Sequence, residues 1–207
     1  MSWRSWLFPH SSQTAQAENG IGEPLAGEGS ADAIFDRAVM YANGRGVPRD
    51  DAEALRLLLK AAELGSGGAQ GNLGVLYRDG RGVPQNDVEA ALWSRKAAEQ
   101  GYAAAQGNLA VMYHEGRGVS RDDAEAARWA RKAAEQGAAD GQFTLAGHYL
   151  MGQGVPQDYI EACMWLTLAA AGGNESAAPI LDQLKGLMTV NQVAEAQQRA
   201  DREPVSQ

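Results

Sequence analysis

The sequence has one cysteine, Cys163, which cannot close an internal disulfide, so a cross-linked secreted scaffold is excluded. It has no run of the roughly 18 to 20 apolar residues that crosses a bilayer, and no membrane insertion is predicted. It is short of positive charge: 18 Lys and Arg stand against 26 Asp and Glu, a formal net charge of -8. An acidic chain repels phosphate backbones and anionic lipid, which argues against nucleic acid as a partner and points to another protein or peptide. Histidine is scarce as well, with His10, His114 and His148 as the full set.

Glycine is the exception, with 25 residues where ordinary usage would place about 7%. Its distribution explains the excess. Gly44-Arg45-Gly46-Val47-Pro48 recurs as Gly80-Arg81-Gly82-Val83-Pro84, as Gly116-Arg117-Gly118-Val119-Ser120 and as Gly152-Gln153-Gly154-Val155-Pro156, each 36 residues after the last. The same period aligns Tyr41, Tyr77, Tyr113 and Tyr149 before the loop, and Leu57, Trp93, Trp129 and Trp165 after it. An internal period of this length is the mark of a repeat architecture.

Each unit reads as two helices. Before the loop, Ala69, Leu73, Leu76 and Tyr77 put an apolar stripe on a short helix A, which should end at the first loop glycine in the left-handed conformation. Helix B follows a Ser/Thr/Asp/Asn-x-x-Glu signature in every unit: Asp50 with Glu53, Asn86 with Glu89, Asp122 with Glu125 and Asp158 with Glu161. These predict four reciprocal capping boxes. Lys60, Lys96 and Lys132 in the last half of helix B should face solvent and favour the helix dipole.

Residues 1–30 have no periodicity and read as a disordered leader. Within it, Arg4, Trp6-Leu7-Phe8 and Ala15-Gln16-Ala17 resemble parts of a signal peptide, but Pro9-His10 cuts the apolar run short. An incidental leader, a truncated signal, and a docking or self-blocking peptide built on Trp3, Trp6, Leu7 and Phe8 all stay open. A cytoplasmic location is expected, and a periplasmic one if the true start lies upstream. The repeats are placed at 31–65, 67–101, 103–137 and 139–173. Residues 174–207 form a degenerate fifth repeat, in which Thr189-x-x-Gln192 starts a final capping helix from Asn191 to about Arg202.

The pattern Ala-x-x-x-Leu-Gly-x-x-Tyr-x-x-Gly-x-Gly-Val, followed by Asp, an alanine-rich helix with a central aromatic and Ala-Ala-x-x-Gly, resembles the Sel-one-like repeat family of the tetratricopeptide superfamily. Residues 69–101 match it almost throughout, whereas Gly141 departs from its first alanine and implies a weaker helix start. The resemblance implies an all-α fold, a right-handed α-α superhelix with helix A on the concave face, and members that act as adaptors. It also implies a cysteine pair per repeat in an extracellular branch, which this chain lacks.

If helix A lines the groove, the candidate partner-binding residues are Asn72, Arg78, Asn108, His114, Phe143, Thr144 and Leu150. Asn72 and Asn108, one period apart, would hold a peptide backbone, or would simply satisfy neighbouring helix ends. Phe143, Leu150 and Met151 suggest an apolar anchor, or a surface covered by the C-terminal helices. Catalytic readings fail one by one. His114-Glu115 lacks a second histidine four residues on, where Gly118 stands, and the loops lack the lysine of a phosphate-binding loop. His114 and His148 occupy different columns and are not expected to converge on one metal. Cys163 sits in the column of Leu55, Ala91 and Ala127, a packed thiol rather than a nucleophile. No cofactor, metal or catalytic residue is expected, and the function read here is a non-enzymatic interaction scaffold. The alternative is an envelope-located regulator or hydrolase-like protein.

Overall fold

The computed structural model describes residues 29–203, and the leader motifs at Trp3, Trp6, Leu7, Phe8 and Ala15-Gln16-Ala17 lie outside them. Two compact units divide the chain, one ending at Gln100 and the other starting at Gly101. The first holds α1 (Ala31–Asn43), α2 (Asp51–Glu63), α3 (Gly67–Asp79) and α4 (Asp87–Glu99). The second holds α5 (Ala103–Glu115), α6 (Asp123–Glu135), α7 (Ala139–Met151), α8 (Tyr159–Ala171), α9 (Ala177–Leu187) and α10 (Val190–Ala200). Every regular element among the described residues is helical. Successive pairs form helix-turn-helix repeats of the solenoid kind, with α1, α3, α5 and α7 as the A helices and α2, α4, α6 and α8 as the B helices.

The glycine loops end the A helices as expected. Gly44, Gly80, Gly116 and Gly152 lie at φ 65 to 69°, and each N–H bonds the carbonyl four residues back, at Met40, Leu76, Met112 and His148. Pairing of the helices rests on small residues where backbones approach and large ones beside them. In the first unit Ile34, Ala38, Leu57, Leu58, Ala61, Leu73 and Leu76 form one core, flanked by half-buried Tyr41, Tyr77, Val83 and Trp93. Gly74 is required there, because a Cβ would meet Ser94 Oγ at 2.5 Å and the Ser94 nitrogen at 3.1 Å. Gly141 has the same explanation in the second unit, its Cβ position lying 2.6 Å from that of Ala133. The departure from alanine at this column therefore marks close approach to α6, not merely a weak helix start.

The helix B caps are half of what the sequence implies. Asp50, Asn86, Asp122 and Asp158 each accept two backbone N–H groups of the first turn, at 2.9 to 3.2 Å. The paired glutamates do not reach back. Both oxygens of Glu53 go to Arg56, both of Glu125 go to Arg128, Glu89 accepts from Trp93, and Glu161 accepts from Arg199. The N–H each glutamate would reach for is already taken, since Asp50, Asn86, Asp122 and Asp158 donate theirs to the carbonyls of Tyr41, Tyr77, Tyr113 and Tyr149 at 2.9 to 3.1 Å. The reciprocal box forms at Thr189 and Gln192, where α10 starts as expected.

Candidate interaction surface

Asn72 and Arg78 lie half-buried on α3 of the first unit. Arg78 is engaged by its neighbour, with Nε donating to Asp79 Oδ1 at 2.8 Å. In the second unit α5 and α7 are packed neighbours, and they carry the remaining candidates. Asn108 and His114 are half-buried on α5, with Val111 39% exposed between them. On α7 Phe143 and Leu150 are half-buried and Met151 is 69% exposed, which leaves an apolar strip at the end of this helix. Thr144 is less available than its sequence position suggests, since its hydroxyl donates to Asp140 O at 2.8 Å within the helix.

His114 and His148 meet ring against ring, a contact that their different columns gave no sign of. Their ring centroids stand 5.6 Å apart with the planes at 84°. Column equivalence was a poor guide because contact runs between adjacent repeats: His148 occupies the buried column of Met112, from which it reaches the end of the neighbouring A helix. His114 Nδ1–H donates to Asp123 Oδ1 at 2.7 Å, and His148 Nδ1–H donates to the Gln153 carbonyl at 2.8 Å. Hydrogen bonds from Arg121 and then His114 hold the Asp123 carboxyl below its ordinary range. Burial pushes His148 below the ordinary imidazole value, and the nearby His114 adds to that. Among the described residues no group of three or more His, Cys, Asp and Glu could hold a metal ion.

Cys163 is buried, and that burial raises its thiol above the ordinary value, the opposite of what a nucleophile needs. Among the described residues no helix is long and apolar enough to cross a membrane.

A set of contacts that the sequence reading passed over lies beneath this surface. Gln70, Gln106 and Gln142 form a buried column at the start of the A helices, 5%, 4% and 7% exposed. Gln100 Nε2 donates to Gln70 Oε1 and Gln136 Nε2 to Gln106 Oε1, both at 2.7 Å, so each amide pair fastens a repeat's A helix to the end of its B helix. The signal was present, since Gln70, Gln106 and Gln142 hold the 36-residue period and Gln100 and Gln136 repeat it once, but glutamine is so common that periodicity alone did not single it out.

No curated protein matches the chain. Among solved structures it is similar to a protective antigen of uropathogenic Escherichia coli strains displaying an SLR fold, with 36% identity and a TM-score of 0.74 over 85% of this chain and 39% of that one. It is similar also to a Sel1 repeat protein from Oxalobacter formigenes, at 38% identity and a TM-score of 0.68, over 76% of this chain and 46% of that one. The chain thus spans less than half of either. Helicobacter pylori cysteine rich protein B matches at 25% identity and a TM-score of 0.50, over 64% of this chain and 96% of that one. The Sel1 repeat model matches residues 31–66, 68–102, 103–137 and 139–174, and with four matched repeats over most of its length the chain belongs to the Sel1 repeat family.

Proposed function

We propose that the chain is a non-enzymatic scaffold that takes a peptide or a partner helix on the faces of its A helices. Sel1 repeat proteins are generally protein-interaction scaffolds, and four such repeats make up most of this chain. The observation that carries the finer reading is the neighbouring pair α5 and α7. Asn108, Val111 and His114 on one, with Phe143, Leu150 and Met151 on the other, leave polar and apolar groups side by side outside the core. Such a mixture suits an extended peptide or an amphipathic helix, whose backbone amides and apolar side chains need both. In the first unit Asn72 and Arg78 are the corresponding groups.

A pull-down comparing the wild-type chain with an Asn108→Ala/Phe143→Ala double variant and with Asn72→Ala tests this reading. The double variant is expected to lose a partner that the wild type recovers, with helical content and thermal stability retained. Equal recovery by folded variants would sink the assignment to the A helices.

A further inference from the structure

Trp93 and Trp165 occupy one column, two periods apart, and each has a glutamate one helical turn earlier, Glu89 and Glu161. Trp93 uses its glutamate: Nε1–H donates to Glu89 Oε2 at 3.1 Å. Trp165 does not. It is 6% exposed, and its Nε1–H is buried without an acceptor. Its glutamate is engaged elsewhere, by Arg199 of α10, which bonds Glu161 and also holds Glu195 Oε1 at 2.6 Å. A buried donor left without a partner is uncommon and marks a place where a partner can arrive.

Trp165 is also in the wall of a cleft of about 490 Å³ between the B helices and α10. Trp165 and Met164 supply its apolar lining. Arg199 and, just beyond the helix end, Arg202 and Glu203 line it from α10, while Arg131 and Glu135 line it from α6. Arg199 already has two carboxylates. Arg131 donates to the neutral phenol of Tyr149 at 2.6 Å, and no ion pair is formed by Arg202 among the described residues. The cleft therefore offers guanidinium groups not saturated by carboxylates, an apolar floor, and two glutamates on the rim.

We propose that this cleft binds the acidic side chain of a partner peptide. The peptide carboxylate takes Arg199 and Arg202, three residues apart. Glu161, released from Arg199, turns to accept from Trp165 Nε1–H as Glu89 accepts from Trp93. One carboxylate replaces another on Arg199, so the net gain comes from the satisfied indole, the second guanidinium and apolar burial against Met164 and Trp165. Glu135 and Glu203 repel polyanions and favour a basic residue elsewhere in the peptide, which selects a peptide of mixed charge over a phosphate-rich ligand. The site belongs to the B helices and α10, so it stands or falls independently of the A-helix reading.

The indole N–H signals of the ¹⁵N-labelled full chain report on this directly, since a hydrogen bond moves such a signal downfield. Trp165→Phe assigns the resonance. Without any ligand, Arg199→Gln should free Glu161 and move the Trp165 signal downfield; an unmoved signal would overturn the exchange. Acetyl-Lys-Leu-Glu-amide should then move the wild-type signal saturably, and Arg202→Gln, at an exposed position, should weaken binding about tenfold. The glutamine version of the peptide should not bind at the same concentrations. The proposal is overturned if neither peptide binds or if both bind equally. It is overturned too if 4-methylpentanoate matches the glutamate peptide, because the ligand would then be a small acid. Should Trp165→Phe fail to fold, Phe substitutions at the other four tryptophans assign the signal by elimination, and the Arg199→Gln and Arg202→Gln arms still decide the question.

Discussion

In the second repeat, Gln70 donates to the Ala62 carbonyl at 3.0 Å and accepts from Gln100 at 2.7 Å, and Trp93 donates to Glu89. In the fourth repeat, Gln142 reaches the Ala134 carbonyl only at 3.4 Å, its Oε1 is buried with no donor, and Trp165 Nε1–H is buried with no acceptor. The residues are the same, but their partners have gone. Gly172 stands where Gln100 and Gln136 stand in earlier repeats, and Arg199 has drawn Glu161 away. A buried group left unpaired costs about 1–3 kcal/mol, so a repeat can keep its columns and still be less satisfied than its siblings. The fourth repeat is where the array meets α9 and α10, and helices that seal an array bring contacts of their own.

The second loop glycine gives the sharpest version of this contrast. Gly82 and Gly154 share a φ of 72°, so alanine at either meets the same left-handed penalty of about 1–2 kcal/mol. Their surroundings differ greatly. A Cβ at Gly82 would find only Leu55 Cδ2 at 3.7 Å, an ordinary contact. At Gly154 it would fall 1.9 Å from the Asp123 carbonyl oxygen and 2.3 Å from its carbon, atoms of backbone that cannot step aside alone. Gly154→Ala is expected to destabilise the chain by about 4 kcal/mol, against about 1–2 for Gly82→Ala. Urea unfolding of the two variants measures the difference, and equal losses would show that the loops are packed alike.

The glutamine column offers a second contrast, at a smaller scale. Gln106→Leu removes a 2.7 Å bond to Gln136 from a buried site and should cost about 1–2 kcal/mol. Gln142→Leu gives up one long hydrogen bond but also removes an orphaned acceptor, and should stay within about 0.5 kcal/mol of the wild type. If Gln142→Leu were the more damaging of the two, the orphan would have to be satisfied in solution.

Most of the fold was legible in the sequence because most of its features are written four times. The left-handed glycines, the B-helix caps at Asp50, Asn86, Asp122 and Asp158, and the start of α10 each follow from backbone requirements that few residue types meet. Side chains with several eligible partners were not legible in the same way. Glu53 could serve the cap or Arg56, and Glu161 could serve Trp165 or an arginine 38 positions on; choosing between them takes distances, not spacing. The meeting of His114 with His148 was missed for a related reason. Columns compare equivalent positions, whereas contacts join positions that are offset between neighbours. The candidate surface on α5 and α7 was traced by stripping away the core columns, so it was legible as a location but not as a set of bonds.

That histidine pair makes the second unit sensitive to pH in a way the first unit, with no histidine among its described residues, does not share. The folded His148 value lies below the ordinary 6.5, so below about pH 6.5 the unfolded chain takes up a proton that the native one resists. Stability contributed by neutral His148 is therefore full above that pH and is lost as pH falls. The slope from one such group is at most about 1.4 kcal/mol per pH unit. His148→Met, with the residue that stands at Met112 in the preceding repeat, is expected to flatten the fall in stability between pH 7 and pH 5. Unfolding curves across that range check it, with unchanged slopes pointing to carboxylates instead.

The helix A starts carry the smallest contrast. Ser66 caps α3, its hydroxyl accepting from Ala69 N at 3.4 Å, whereas Tyr102 and Ala138 in the same column give α5 and α7 no side-chain cap. The backbone is ready for one. Ala138 lies at φ -68° and ψ 111°, close to the -60° and 115° of Ser66. Ala138→Ser should therefore supply an acceptor to the first turn of α7 without moving the chain, and should stabilise it by about 0.5–1 kcal/mol. For a domain of this size that is a rise of about 1–4 °C in Tm. Because Ser66 is 3% exposed, its hydroxyl is shielded from competing water. Ala138 is half-buried, so a hydroxyl placed there is less shielded than that of Ser66. The gain at Ala138→Ser should then be smaller than the loss at Ser66→Ala, and the reverse order would mean that the cap matters less in the second repeat than its geometry implies.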